Sequence, residues 1–234
     1  MEKILDLARS LKCTEIINVR KELTEKSTNR TFKYLLVIDF EATCWNRNDP
    51  DRGYSEIIEF PCILYSVEGN KIISYFQQYV MPIENTKLSK FCTELTGISQ
   101  QTVDNGVPLK TCMMLFLKWL EHIKNKYNVS IGKFVPNNCI FATWSDWDIR
   151  NCLKNECRRK QIVLPEIFTK WIDIRALYTK HYMRRPKGLL GALGELGLEF
   201  EGRQHCGLDD AKNTAKLVGR MVSEGVILKC TSCL

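Results

Sequence analysis

Between Tyr34 and Asp39 the chain reads Leu35-Leu36-Val37-Ile38 without a polar residue. An unbroken apolar run of this length, rich in β-branched side chains, is the pattern of a strand covered on both faces. It predicts a strand near 34–40, followed by two more near 57–65 and 72–80 that are joined by the turn Glu68-Gly69-Asn70 and are therefore antiparallel. A further short apolar strand is expected at Ile140-Phe141-Ala142-Thr143. Helical spacing takes over elsewhere. Helices are predicted near 108–125, with Leu109, Met113, Phe116, Leu117 and Leu120 on one side, and near 147–158, 173–183, 188–196 and 208–223. In the last of these, Ala211, Ala215, Val218 and Val222 repeat at four-then-three spacing, with Gly225 as a stop. Strands alternating with helices in this order describe an α/β fold with a mixed sheet. Lys126 to Asn138, with Gly132 and Pro136, reads as a loop.

The first strand ends in an unusual way. Asp39 and Glu41 stand two residues apart, so in extended backbone they share one face while Phe40 takes the other. Two acids at the end of a buried strand either lie in solvent just past it or converge on a cation that compensates them. Two more segments carry acids of the same kind. Trp144-Ser145-Asp146-Trp147-Asp148 follows the fourth strand, where Asp146 could cap the next helix and Asp148 would lie in its first turn. His205-Cys206-Gly207-Leu208-Asp209-Asp210 opens the last helix. A helix dipole accounts for Asp209 but leaves His205, in a loop flanked by Gly202 and Gly207, unexplained.

Asp39-x-Glu41, Asp148 and His205-x4-Asp210 resemble the three motifs of the DEDD exonucleases, in the branch with histidine in the third. The longer strings Ile38-Asp39-Phe40-Glu41-Ala42-Thr43-Cys44, Glu56-Ile57-Ile58-Glu59-Phe60-Pro61, Phe91-Cys92-x2-Leu95-Thr96-Gly97-Ile98 and His205-Cys206-Gly207-Leu208-Asp209-Asp210 are similar to the ERI-type 3′-to-5′ exoribonucleases, over about residues 32–228. The resemblance implies a ribonuclease H-like fold, a mixed five-stranded sheet flanked by helices, with the first strand central and the active site at its carboxyl end. It implies 3′-to-5′ hydrolysis of RNA to 5′-mononucleotides with two magnesium ions, manganese able to substitute, about 4 Å apart. Asp39 would bridge both ions, Glu41 and Asp210 would complete one site, and Asp148 would serve the other. Glu41 and His205 would be the catalytic residues, His205 taking a proton from the attacking water. Phe40, Ala42, Thr43, Leu95, Thr96 and Gly97 would line the pocket for the terminal nucleotide, with His205 beside it. Core packing is the competing account of Leu95 and Ile98. Trp147 and Trp45 are candidates for base stacking, whereas Trp144 is expected to pack in the core or at its rim.

Composition and charge change this picture only in part. The chain has 234 residues with 44% hydrophobic content, enough for one sizeable core. No apolar run is long enough to span a bilayer, and the first residues lack the apolar core of a secretory signal, so no membrane partner and an intracellular place, cytoplasm or nucleus, are expected. Eleven scattered cysteines fit reduced core residues, and Cys230-x2-Cys233 is half of a zinc-like spacing without its other half. A net charge of +7 suits an anionic partner. Arg184-Arg185-Pro186-Lys187, ahead of the His205 helix, is expected to reach the RNA backbone through Arg184 and Lys187. Arg158-Arg159-Lys160 reads rather as a solvated face. Single-stranded or overhanging DNA stays open as a substrate, because the catalytic core does not separate the two polymers. A proofreading-type DNA exonuclease and a silent nucleic-acid adaptor remain the alternatives. The expected organisation is an arm over residues 1–31, of mixed charge, a catalytic domain over 32–228 and a tail over 229–234, which together read as a bare catalytic module.

Overall fold

The structure is a computed structural model that describes residues 32–132 and 136–234. The arm over 1–31 and three residues of the expected 126–138 loop lie outside the described residues. β1 (Tyr34–Ile38) is the centre of the sheet. It pairs antiparallel with β3 (Ile57–Ser66), which pairs antiparallel with β4 (Lys71–Tyr79) at one edge. On its other side β1 pairs in parallel with β5 (Cys139–Thr143), and β5 in parallel with β6 (Lys170–Asp173). Four of these five are strands the sequence pattern predicts; β6, four residues long, is not expected from it, and a five-stranded mixed sheet is what the resemblance implies. Two short strands bring the total among the described residues to seven: β2 (Glu41–Ala42), which continues β1 along β3 after a break at Asp39 and Phe40, and β7 (Ser232–Cys233), which pairs with β6 inside the expected tail. Two residues are too few to leave a periodicity in sequence.

Alternation along β1 divides the core in two. Leu36 and Ile38 join the layer built on α3 (Leu109–Tyr127), and Leu35 and Val37 join the layer opposite, which includes α5 (Ile174–Tyr182), α6 (Gly188–Glu195) and α7 (Gly207–Ser223). This is why no polar residue is tolerated between Tyr34 and Asp39. α3 buries Leu109, Cys112, Met113, Phe116, Leu120 and Ile123, so Cys112 holds a core place and Leu117, expected there, is 38% exposed. α7 ends as its glycine predicts: Gly225 has φ 89°, and the Val226 amide returns to the Met221 carbonyl.

The sequence pattern missed α1 (Lys90–Thr96) and α2 (Gln100–Asp104), whose lengths span less than two turns. Their signal is local, in the caps: Ser89 accepts from the Cys92 amide and Ser99 from that of Thr102. The helix expected at 147–158 is a π-helical segment over Trp147–Leu153 that runs into α4 (Lys154–Arg159). Asp146 does not cap it through its side chain. It accepts instead from Trp171 Nε1 at 2.9 Å and Ser232 Oγ at 2.6 Å, tying the turn to β6 and β7.

Arg158-Arg159-Lys160 is not simply a solvated face. Lys160 Nζ lies 2.7 Å from Glu56 Oε1 and 2.5 Å from Glu156 Oε1, and both acids are fully buried. Glu56 also accepts from the amides of Ile83, Glu84 and Asn85, and Glu156 from that of Ile57. Arg159 pairs with Glu84 at 3.0 Å. The cluster fastens the start of β3 to the end of α4, and buried charges persist only with such partners.

Candidate active site

Asp39 is the first residue after β1 and, unlike the four before it, keeps partial access to solvent. Phe40 turns its ring into the core, 4.5 Å from that of Phe60, and its amide donates to Asp148 Oδ1 at 2.9 Å. That bond spans 108 residues and anchors the buried Asp148 carboxylate beside the end of β1. The π-helical opening of its segment supplies the local geometry, a feature frequent at functional sites.

Asp210 arrives from the opposite layer, in the first turn of α7. The helix start is seated very close to β1: a Cβ on Gly207 would lie 2.4 Å from the Asp39 carbonyl oxygen and 3.0 Å from Pro61 Cγ. Only glycine fits there. Glu59, buried in β3, accepts from the Gly207 amide at 2.9 Å and the Leu208 amide at 3.3 Å, satisfying two of the helix's unpaired donors. Its Oε1 also takes a bond from Gln77 Nε2. Glu59 and Gly207 had no role assigned from sequence, although an acid within the apolar Glu56–Pro61 stretch carries the same warning as Asp39 and Glu41.

Just ahead of α7, His205 is exposed with φ 59°, and its amide donates to Asp210 Oδ2 at 2.8 Å. A non-glycine residue in the left-handed region costs about 1 kcal/mol or more and persists where its surroundings dictate it. Glu41, His205 and Asp210 each offer a ligand atom, all within 4.8 Å of one another.

Electrostatics complete the description. Burial pushes the Glu41 carboxyl up to about 9, with Asp210, Glu59 and Asp148 adding repulsion. Burial likewise holds Asp39 well above the carboxylate range, reinforced by Asp148, Asp210 and Glu41. Asp148 is pushed up to about 7 by burial against the opposing bond from Phe40, and Asp210 to about 6 by burial against the bond from His205. The groups crowding these four acids are mainly other acids. An all-oxygen, anionic, mutually repelling set is matched by a hard divalent cation such as magnesium or manganese.

The expected nucleotide contacts are distributed unevenly. Leu95 is half-buried near the end of α1, and Trp147 is 40% exposed next to Asp148. Ala42 is buried, and its carbonyl lies 3.7 Å from Cys92 Sγ. Thr43 and Thr96 are buried with their hydroxyls engaged: Thr43 Oγ1 accepts from the Glu56 amide, and Thr96 Oγ1 donates to the Cys92 carbonyl and accepts from the Ile98 amide. Gly97 is exposed and forms the left-handed cap of α1. Lys187 is exposed at the start of α6. Arg184 pairs with Glu195 at 2.6 Å and lies over the Tyr182 ring. Trp45 is half-buried in a cleft with Asn85, Lys87 and Ser89, and Trp144 packs against the core.

The family model described as "Exonuclease" matches residues 36–218. The chain is 44% identical over 205 residues to the 3′-5′ exonuclease Snipper of Drosophila melanogaster, covering 86% of this chain and 73% of that protein. It is 50% identical over 210 residues to ERI1 exoribonuclease 2 of Xenopus laevis, covering 87% of this chain and 30% of the relative, and so spans under a third of that protein's length. The nuclease domain of 3′hExo, a DEDDh family member solved with rAMP, superposes with a TM-score of 0.77 at 35% identity, over 87% of this chain and 98% of that one. No helix among the described residues is long and apolar enough to cross a membrane. With its motif acids gathered at the carboxyl end of the central strand and its likeness extending over 73% of Snipper and 98% of the 3′hExo nuclease domain, the chain belongs to the exonuclease family, in the DEDDh branch and its ERI-type group.

Proposed function

We propose that the protein is a 3′-to-5′ exoribonuclease that hydrolyses the terminal phosphodiester of RNA and releases 5′-mononucleotides. The observation that carries this reading is the gathering of Asp39, Glu41, Asp148, His205 and Asp210, from three separate segments, around the end of β1. Asp39, Glu41, Asp148 and Asp210 would hold two divalent cations, magnesium with manganese as a substitute. Once bound, such ions neutralise the attacked phosphate and make water acidic enough to act at neutral pH. The four carboxylates pass from mutual repulsion to full compensation in that state. His205 takes the proton from the attacking water. Its imidazole is open to solvent, and its backbone bond to Asp210 fixes where the ring emerges. This role requires the neutral ring.

Leu95 and Trp147 are the apolar surfaces we assign to the terminal base, and Lys187 the cation we assign to the backbone. Arg184 joins it only by leaving Glu195. The ribose preference rests on likeness to relatives named exoribonucleases, because carboxylates and water act on a phosphodiester of either polymer. Ten cysteines are free among the described residues, which fits a reducing compartment, cytoplasm or nucleus.

The test is a magnesium time course on 5′-labelled single-stranded RNA, matched DNA and a stem with a 3′ overhang, beside Asp39→Ala and His205→Ala. A ladder shortening from the 3′ end, absent in Asp39→Ala, is expected, with RNA cut faster than DNA. DNA cut faster reassigns the substrate, and tight binding without cleavage makes the protein an adaptor. A His205→Ala protein with full activity and the parent pH profile removes the base role.

A further inference from the structure

Arg203 connects two parts of the site that are far apart in sequence. Its Nη2 donates to the carbonyls of Glu94 at 2.9 Å and Leu95 at 3.3 Å, in the last turn of α1. Those carbonyls are among the acceptors a helix end leaves unsatisfied, and a guanidinium there also complements the helix dipole. The space it takes exists because residue 97 is glycine: a Cβ on Gly97 would lie 1.3 Å from Arg203 Nη1 and 2.4 Å from Cζ. Gly97 therefore admits the arginine as well as supplying the positive φ of 74° that ends the helix.

The other end of Arg203 is fixed to the His205 loop. Its amide donates to Asp209 Oδ2 at 3.0 Å, and its carbonyl accepts from the Cys206 amide at 3.2 Å. His205 lies between those two anchors in the left-handed conformation. Such a conformation needs external constraint, and the residues that supply it are Asp210, Asp209 and Arg203.

We propose that Arg203 is a positioning residue that locks the His205 loop onto the Leu95 end of α1, coupling the proton acceptor to the surface that receives the terminal nucleotide. The inference rests on the exoribonuclease reading for its kinetic consequences, but not for its structural ones. Without the strut, both parts loosen together. Nucleotide engagement weakens as the end of α1 loses its cap, and the chemical step slows as the imidazole samples other positions. Two charge-assisted bonds of this kind correspond to an effect of about tenfold on each step.

The test compares Arg203→Ala, Arg203→Lys and Gly97→Ala with the parent, using kcat and KM on single-stranded RNA, affinity for AMP with magnesium, and amide hydrogen exchange. In Arg203→Ala, KM is expected to rise and kcat to fall, each about tenfold. AMP binding weakens alongside, and exchange accelerates both at Cys206 and around Gly97 with the global unfolding midpoint little changed. Lysine, reaching one carbonyl without the planar fork, restores only part. Gly97→Ala displaces the guanidinium and reproduces the same split, and Gly97→Ala with Arg203→Ala is no worse than the worse single variant. A fall in kcat with unchanged KM and AMP affinity overturns the coupling, as does faster exchange at one end only. A parent that cleaves no RNA refutes the exoribonuclease reading instead, and the exchange pattern then decides the strut by itself.

Discussion

Asp210→Asn should make the metal-free protein more stable while abolishing its activity. The Asp210 carboxyl is pushed up to about 6 from an ordinary 3.8, so the folded chain holds this proton more tightly than the unfolded chain does. Between those values stability falls as pH rises, and above the higher one the whole penalty of burying the charge is present. A displacement of about two pH units at 1.36 kcal/mol each corresponds to an upper bound of about 3 kcal/mol. Asparagine keeps the size and an oxygen for the His205 amide, losing about 1 kcal/mol because a neutral acceptor replaces a charged one. The net expectation near pH 8 in chelator is a gain of about 1–2 kcal/mol. Urea unfolding of parent and variant measures it, repeated with millimolar magnesium, which stabilises the parent strongly and the variant little. A variant less stable than the parent in chelator would refute the argument that the site's acids are held at a cost; an equal magnesium response in both would refute the assignment of Asp210 as a ligand.

The same raised carboxyls make magnesium binding compete with protons, so the concentration giving half-maximal activity should rise as pH is lowered from about 8 to 6, with manganese following the same trend. Gly207→Ala should cost most of the activity, because its Cβ would fall 2.4 Å from the Asp39 carbonyl and push α7 off the end of β1; retained activity would mean that this contact does not set the site. Lys160→Met should destabilise by about 3–5 kcal/mol in urea, since it leaves Glu56 and Glu156 buried without a cation, and the loss should shrink in acid as those carboxyls protonate. Glu59→Gln should lower activity in magnesium, as an amide offers a donor where two helix amides need acceptors; an unchanged rate would show that the start of α7 is held by packing alone.

Sequence alone determined the elements whose periodicity runs long enough to be read. β1 had to be a two-sided strand because four consecutive apolar residues cannot be shared with water, and α3 and α7 were legible because their apolar positions recur over many turns. The acids and His205 stood out because buried strands and helix starts rarely carry such groups without compensation. Tertiary structure decided what those residues meet. The Phe40 amide reaching Asp148 across 108 residues and Glu59 reaching Gly207 across 148 leave no trace in local pattern. The same holds for Arg203 filling the space above Gly97, and for Lys160, which reads as one of three surface cations and is instead held between two buried acids. Periodicity records which face of an element is covered; it carries no record of which distant group does the covering, because that depends on sheet order and on the close approach of backbones that only the folded chain brings about.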